Sequence, residues 1–214
     1  MKKIKSILVL MMLFFVSLSF FNCQNEDLNE IESLSLEERV ANLNDLSNDV
    51  MIFFKEYNKK EKNKSKFSKN ETNKLLNPII NKTRKILAHL GLTKSDLEKV
   101  SGENVNSVYA VFGIALVAKH KSNLNTKETN LFSREKGAWE CLKEALGVDA
   151  IAAFAESAYA LYGGEVAAGW AVDGAAAAAF RSAGLSAAKS AIKRFAGGLG
   201  AIIVIAEFTI CMLD

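Results

Sequence analysis

Three cysteines, at 23, 141 and 211, and two histidines, at 89 and 120, hold most of the nucleophilic and soft-ligand capacity of this 214-residue chain. Zinc takes Cys, His and carboxylate ligands at short, regular spacings. His89 and His120 stand among lysines, alanine and leucines with no Cys, Asp or Glu at such a spacing, so no metal site is expected. A serine hydrolase of the common type presents its nucleophile on a G-x-S-x-G elbow. Neither that elbow nor a P-loop or dinucleotide-binding glycine pattern occurs. The sequence therefore assigns no catalytic residue and no cofactor, and the expectation is a protein that is not an enzyme.

Cys23 differs from the other cysteines in what precedes it. Lys2, Lys3 and Lys5 make a basic start, Ile7–Phe21 is an apolar segment, and the cysteine follows almost at once. This is the layout of an export signal. An uncleaved membrane span wants about 20 apolar residues and finds fewer here, and ordinary secretion wants an A-x-A-like cleavage site that is absent. The arrangement resembles the lipobox signal peptides of bacterial lipoproteins. In those, the closing cysteine receives diacylglycerol, the leader is cut off before it, and the new amino group is acylated. The usual box has Leu three residues before the cysteine and a small residue directly before it, places held here by Phe20 and Asn22. The run Cys23-Gln24-Asn25-Glu26-Asp27 is similar to the looser box of Bacteroidetes-type lipoproteins, which often carries an acidic cluster after the cysteine. The resemblance, confined to residues 1 to about 27, implies lipidation at Cys23, removal of residues 1–22 and contact with a membrane through the lipid. It places the protein in the cell envelope. Gln24, where a retention signal would put Asp, points to the outer membrane, and Glu26-Asp27 to surface exposure.

With Cys23 acylated, Cys141 and Cys211 remain in an oxidising compartment, where an even number of thiols suggests one bridge. Cys141 lies one turn from Ala138 and Ala145, and Cys211 one turn from Phe208, so on helices both sulfurs face a packed interior. A disulfide between Cys141 and Cys211 is expected. Trp139 is expected to pack and Glu207 to make a polar contact, since no CxxC-like redox pair is present.

The net charge of +3 comes from the three leader lysines, leaving the mature chain formally neutral, and no nucleic-acid partner is expected. The charge is unevenly spread. Residues 24–50 carry eight acidic side chains against Arg39 alone, whereas residues 51–90 carry eleven Lys or Arg against Glu56, Glu61 and Glu71. The plain reading is a solvated acidic helix followed by a solvated basic linker. The alternative is a patch that binds an anionic surface.

These residues have to be carried by helices. Residues 23–34 read as the acylated cysteine and a polar tether. Ser35-Leu36-Glu37-Glu38 has the form of a capping box, and Leu36, Val40, Leu43, Val50, Phe54 and Tyr57 form one apolar stripe beyond it. Asn58–Lys74 is too poor in apolar side chains to offset its ordering entropy and is expected to be a loop or frayed end. Either Asn77-Pro78 opens the next helix, or an earlier start is kinked there. Gly91 suits a left-handed stop. Thr93–Asp96 opens a short helix ending near Gly102, and Val105–Lys119 reads as a central apolar helix. From Ser133 the composition turns to Ala and Gly, with glycine-delimited helices expected over Ser133–Leu146, Asp149–Tyr162, Glu165–Ala183, Ser186–Phe195 and Ala201–Leu213.

The fold class expected is all-α in two units: residues 35–122, with a Lys/Asn-rich linker at 58–74, and residues 133–214, an Ala/Gly-rich bundle. The function expected is that of a non-enzymatic envelope lipoprotein, an interaction or structural module whose partner is a protein or envelope polymer. The rival from another class is a secreted membrane-active effector, bacteriocin-like or pore-forming, working through the Ala/Gly-rich C-terminal helices. Glu156, Glu165, Asp173 and Glu207 weigh against those helices resting within a bilayer, because a charge at its centre costs about 2.5–3.5 kcal/mol.

Overall fold

The computed structural model describes residues 34–63, 67–124, 138–146, 149–163 and 175–195. The described residues are almost wholly helical, without strands, so the protein is all-α. The elements are α1 (Leu36–Lys62), α2 (Lys69–His89), α3 (Lys94–Ser101) with a 3₁₀ turn (Gly102–Asn104), α4 (Val105–Asn123), α5 (Ala138–Leu146), α6 (Asp149–Tyr162) and α7 (Ala175–Phe195).

Helix α4 is the axis of the fold. Eleven of its consecutive residues, from Val108 to Ala118, are buried, so the helix is apolar on all sides and has to be covered on all sides. Helices α1, α2, α3, α5, α6 and α7 all pack against it. That requirement explains why the composition boundary near Ser133 is a change of packing style within one unit, Leu34–Asp214, and not a division of the core.

Local chemistry sets the helix ends. The Ser35 amide donates to Glu38 Oε2 at 2.7 Å and the Glu38 amide donates to Ser35 Oγ at 3.2 Å, closing the expected capping box of α1. Gly91, at φ 82°, ends α2 in a Schellman arrangement in which Gly91 N–H donates to Ala88 O (2.9 Å) and Leu92 N–H to Leu87 O (2.8 Å). Thr93 and Asp96 box the start of α3, whose C-cap is Gly102 at φ 51°.

Two expectations fail for identifiable reasons. The segment Asn58–Lys74 is not a loop throughout: α1 runs to Lys62 and α2 begins at Lys69, ahead of Pro78, which lies exposed inside it. Ser68 and Glu71 form a second capping box. Tyr57 stacks on Phe67 at 5.9 Å, Lys60 sits 4.7 Å over the Phe67 ring, and Lys60 Nζ donates to Glu71 Oε1 at 2.6 Å. Order there comes from short-range polar and aromatic contacts, which an argument from burial alone leaves out. The second failure is Gly184, expected to end a helix, which lies inside the continuous α7. A Cβ at this position would come within 2.6 Å of Leu92 Cδ2 and 2.9 Å of Phe154 Cε2, so the glycine serves close approach and not termination. The expected helix over residues 201–213 lies outside the described residues, as do residues 165–174.

Candidate functional site

Helix α6 ends in Tyr159 and Tyr162, one turn apart and therefore on one face. Each takes one of the chain's two histidines. The His120 ring, from the end of α4, lies 5.7 Å from that of Tyr159, and the His89 ring, at the end of α2, meets Tyr162 edge-on at 5.5 Å. Helix α1 supplies the polar partners. Asn42 Nδ2 donates to Tyr162 Oη at 3.0 Å, and Asn44 Oδ1 lies 3.0 Å from His120 Nε2. Arg39, almost fully buried, acts electrostatically on both His89 and Tyr162. Gly163 ends α6 against this seam, where a Cβ would press within 2.8 Å of Leu43 Cδ1 and 2.9 Å of Tyr159 Cε2.

The electrostatics favour the uncharged forms of His89, His120 and Tyr162. Burial, reinforced by Lys121, pushes the His120 imidazole down to about 4, and burial with the Arg39 charge lowers His89. Burial raises the Tyr162 phenol despite the Asn42 bond and Arg39. At neutral pH both imidazoles and the Tyr162 phenol are thus uncharged. Neither imidazole hydrogen-bonds a carboxylate, hydroxyl or thiol among the described residues; the His120 ring is held by Asn44.

A second polar cluster joins α3 to α7. Asp96, 5% exposed, accepts from the Thr93 hydroxyl (2.8 Å) and amide (3.2 Å) and pairs with the Arg181 guanidinium. Burial pushes this carboxyl up, but the bonds from Arg181 and Thr93 outweigh it and hold the group below its ordinary value. The pair ties the first turn of α3 to α7, the last described helix.

Of the residues singled out by sequence, Cys141 is fully buried on α5. Cys23 and Cys211 lie outside the described residues, as does Glu207, and the pairing of Cys141 is not seen. Among the described residues no group of three or more His, Cys, Asp and Glu side chains is placed to hold a metal, and no helix is long and apolar enough to cross a membrane. The tyrosine–histidine seam was missed by sequence reasoning. Its members come from four helices, and the only local signal is the Tyr-x-x-Tyr spacing at the end of α6. Comparison with protein families, curated proteins and solved structures finds no match to this chain.

Proposed function

We propose that this chain is a cell-envelope lipoprotein, acylated at Cys23 and placed in the outer membrane, whose helical body is a non-enzymatic interaction or structural module for a protein or envelope polymer. The observation that carries the reading is the order of parts along the chain: a basic start, an apolar segment closed by Cys23, a polar stretch of eleven residues (24–34), and then a helix capped at Ser35. Eleven residues reach at most about 40 Å, enough to hold a folded body off a bilayer.

Acylation of Cys23 withdraws its thiol, and a bridge between the two remaining cysteines, Cys141 and Cys211, is proposed. Thiol counting on the denatured, unreduced mature protein tests this, and two free thiols would rule the bridge out. For the anchor, Cys23→Ser is expected to release the protein from the membrane fraction and to change its gel mobility. Unchanged partition and mobility would overturn the lipoprotein reading. Addition of the mature protein to dye-loaded vesicles separates it from the membrane-active effector, which requires leakage at micromolar protein where the interaction module gives none.

A further inference from the structure

The outer face of α1 carries a stripe that the fold does not use. Asn48, Ile52, Lys55, Lys59 and Lys62 recur at four- and three-residue steps, which sets them within an arc of about 80° on an α-helix. All five are exposed, and Ile52, at 53%, is one of two large apolar side chains left exposed among the described residues. The stripe runs for roughly 20 Å along the helix. No position in it between 48 and 62 is acidic, and among the described residues no carboxylate pairs with Lys55, Lys59 or Lys62. In α1, Glu56 stands between Lys55 and Lys59 in sequence but about 80° round the helix from the centre line of the stripe, and Asp45 and Asp49 are engaged on the α2 side by Lys82, at 3.9 and 2.8 Å. Favourable interaction with the α1 C-terminal dipole accounts for Lys59 and Lys62 in the last turn. It accounts for neither Lys55, two turns from the end, nor the exposed isoleucine.

We propose that this stripe is a docking surface for an anionic phospholipid bilayer, with the lysines at headgroup phosphates and Ile52 entering the interface. The proposal rests on the lipoprotein reading for its physiological setting and deepens it. The tether from Cys23 joins α1 at its first turn, so the helix that bears the stripe is the one delivered to the membrane by the anchor. A basic patch beside an acyl anchor adds electrostatic attraction to an anionic surface and sets how the body lies on it. The stripe lies on a convex helix surface and contains no aromatic side chain; elsewhere on α1 Phe53 and Phe54 are buried and Tyr57 stacks on Phe67. It therefore offers neither groove nor stacking platform to a nucleic acid.

The folded unit begins at Leu34, so residues 23–214 bearing Cys23→Ser retain the fold while carrying no anchor. This protein is mixed with phosphatidylcholine vesicles with and without about one-third phosphatidylglycerol, and bound protein is measured by sedimentation. Binding is expected only to the anionic vesicles, and it should weaken as salt is raised. Each lysine near such a surface is worth about fivefold in partition, so Lys55→Gln, Lys59→Gln and Lys62→Gln together should lower binding by roughly 100-fold. Neutralising three exposed lysines elsewhere, Lys85, Lys189 and Lys193, should lower it far less. Ile52→Ser should weaken binding several-fold at unchanged charge, with circular dichroism checking that each variant is folded. Absence of binding to anionic vesicles, equal binding to neutral ones, or equal losses in the two triple variants would overturn the proposal. Binding to polyphosphate or duplex DNA as tight as to vesicles would overturn the membrane assignment. Because this protein has no anchor, such a failure leaves the acylation of Cys23 to be decided by its own partition experiment.

Discussion

The junction of α4, α6 and α7 and the tip of the α1–α2 hairpin are both ordered, by different means. At the junction, Phe154 lies 4.5 Å from Phe112 and 5.0 Å from Phe180, and Gly184 lets α7 close on Phe154 and Leu92. Nearby, Gly113 admits the Thr83 side chain between α2 and α4. Order there is a matter of shape, set by dispersion and excluded water, and it has no slack. At the tip, Lys60, Glu71, Ser68, Tyr57 and Phe67 hold one another through contacts that need little burial, each link being local and partly solvated. One chain can thus be stiff in two ways, and substitutions separate them.

The largest effect is expected at Phe154. Phe154→Ala removes a ring that is 2% exposed and touches two other aromatic rings, and the loss should be about 3–5 kcal/mol in urea unfolding. A loss below about 1 kcal/mol would mean that the junction can collapse around the vacancy, and the contrast with the tip would fail.

Acid should act next, through the seam beside the junction. His120 is 1% exposed and has a folded-state value of about 4, against an unfolded value of about 6.5. Between these the unfolded chain binds more protons, so stability is full above about pH 6.5, falls as pH falls, and levels off below about pH 4. The loss approaches about 3 kcal/mol, and His89, also depressed, adds in the same direction. Denaturation at pH 7 and pH 4.5 of the wild type and of His120→Gln measures it. The variant should show a smaller difference, and an unchanged one would place the linkage elsewhere.

Gly184→Ala sets close approach against helix propensity. The added methyl should cost about 1–3 kcal/mol in overpacking, offset by about 1 kcal/mol of intrinsic preference for alanine over glycine. A net destabilisation of about 1 kcal/mol is expected. A stabilised variant would mean that Leu92 and Phe154 give way easily.

These residues also mark how far the fold was legible in sequence. Asp149–Tyr162, the Thr93 start and the Gly91 stop were readable, because caps and turns are written in neighbouring residues. Gly184 was misread, since a stopping glycine and a close-packing glycine look alike until the facing helix is known. The seam of Asn42, Asn44, His89, His120, Tyr159 and Tyr162 was illegible for the same reason: its contacts span 42 to 162 in the chain, and no single window holds two partners from different helices. Apolar content alone under-reads the tip, whose S-x-x-E signal at Ser68 is local and written in neighbouring residues.

The smallest effect is expected at Ser68. Its hydroxyl accepts from the Glu71 amide at 3.3 Å, and Glu71 Oε2 accepts in return from the Ser68 amide at 2.9 Å. The same carboxylate takes the Lys60 ammonium, which, with Ser68, holds Glu71 down at about 2, so the cap stays charged well into acid. Ser68→Ala removes the hydroxyl half of the box and leaves Lys60–Glu71 and Tyr57–Phe67 in place. Loss of an N-cap hydroxyl costs about 1 kcal/mol. Here the cost should fall on α2's first turn, seen as faster amide exchange at Glu71 and Thr72, whose amide donates to Ser68 O at 3.0 Å. Amides of α4 should exchange no faster than the change in global stability requires. If Ser68→Ala instead destabilised the whole chain by more than about 2 kcal/mol, the tip would be coupled to the junction. The two modes of order would then be one.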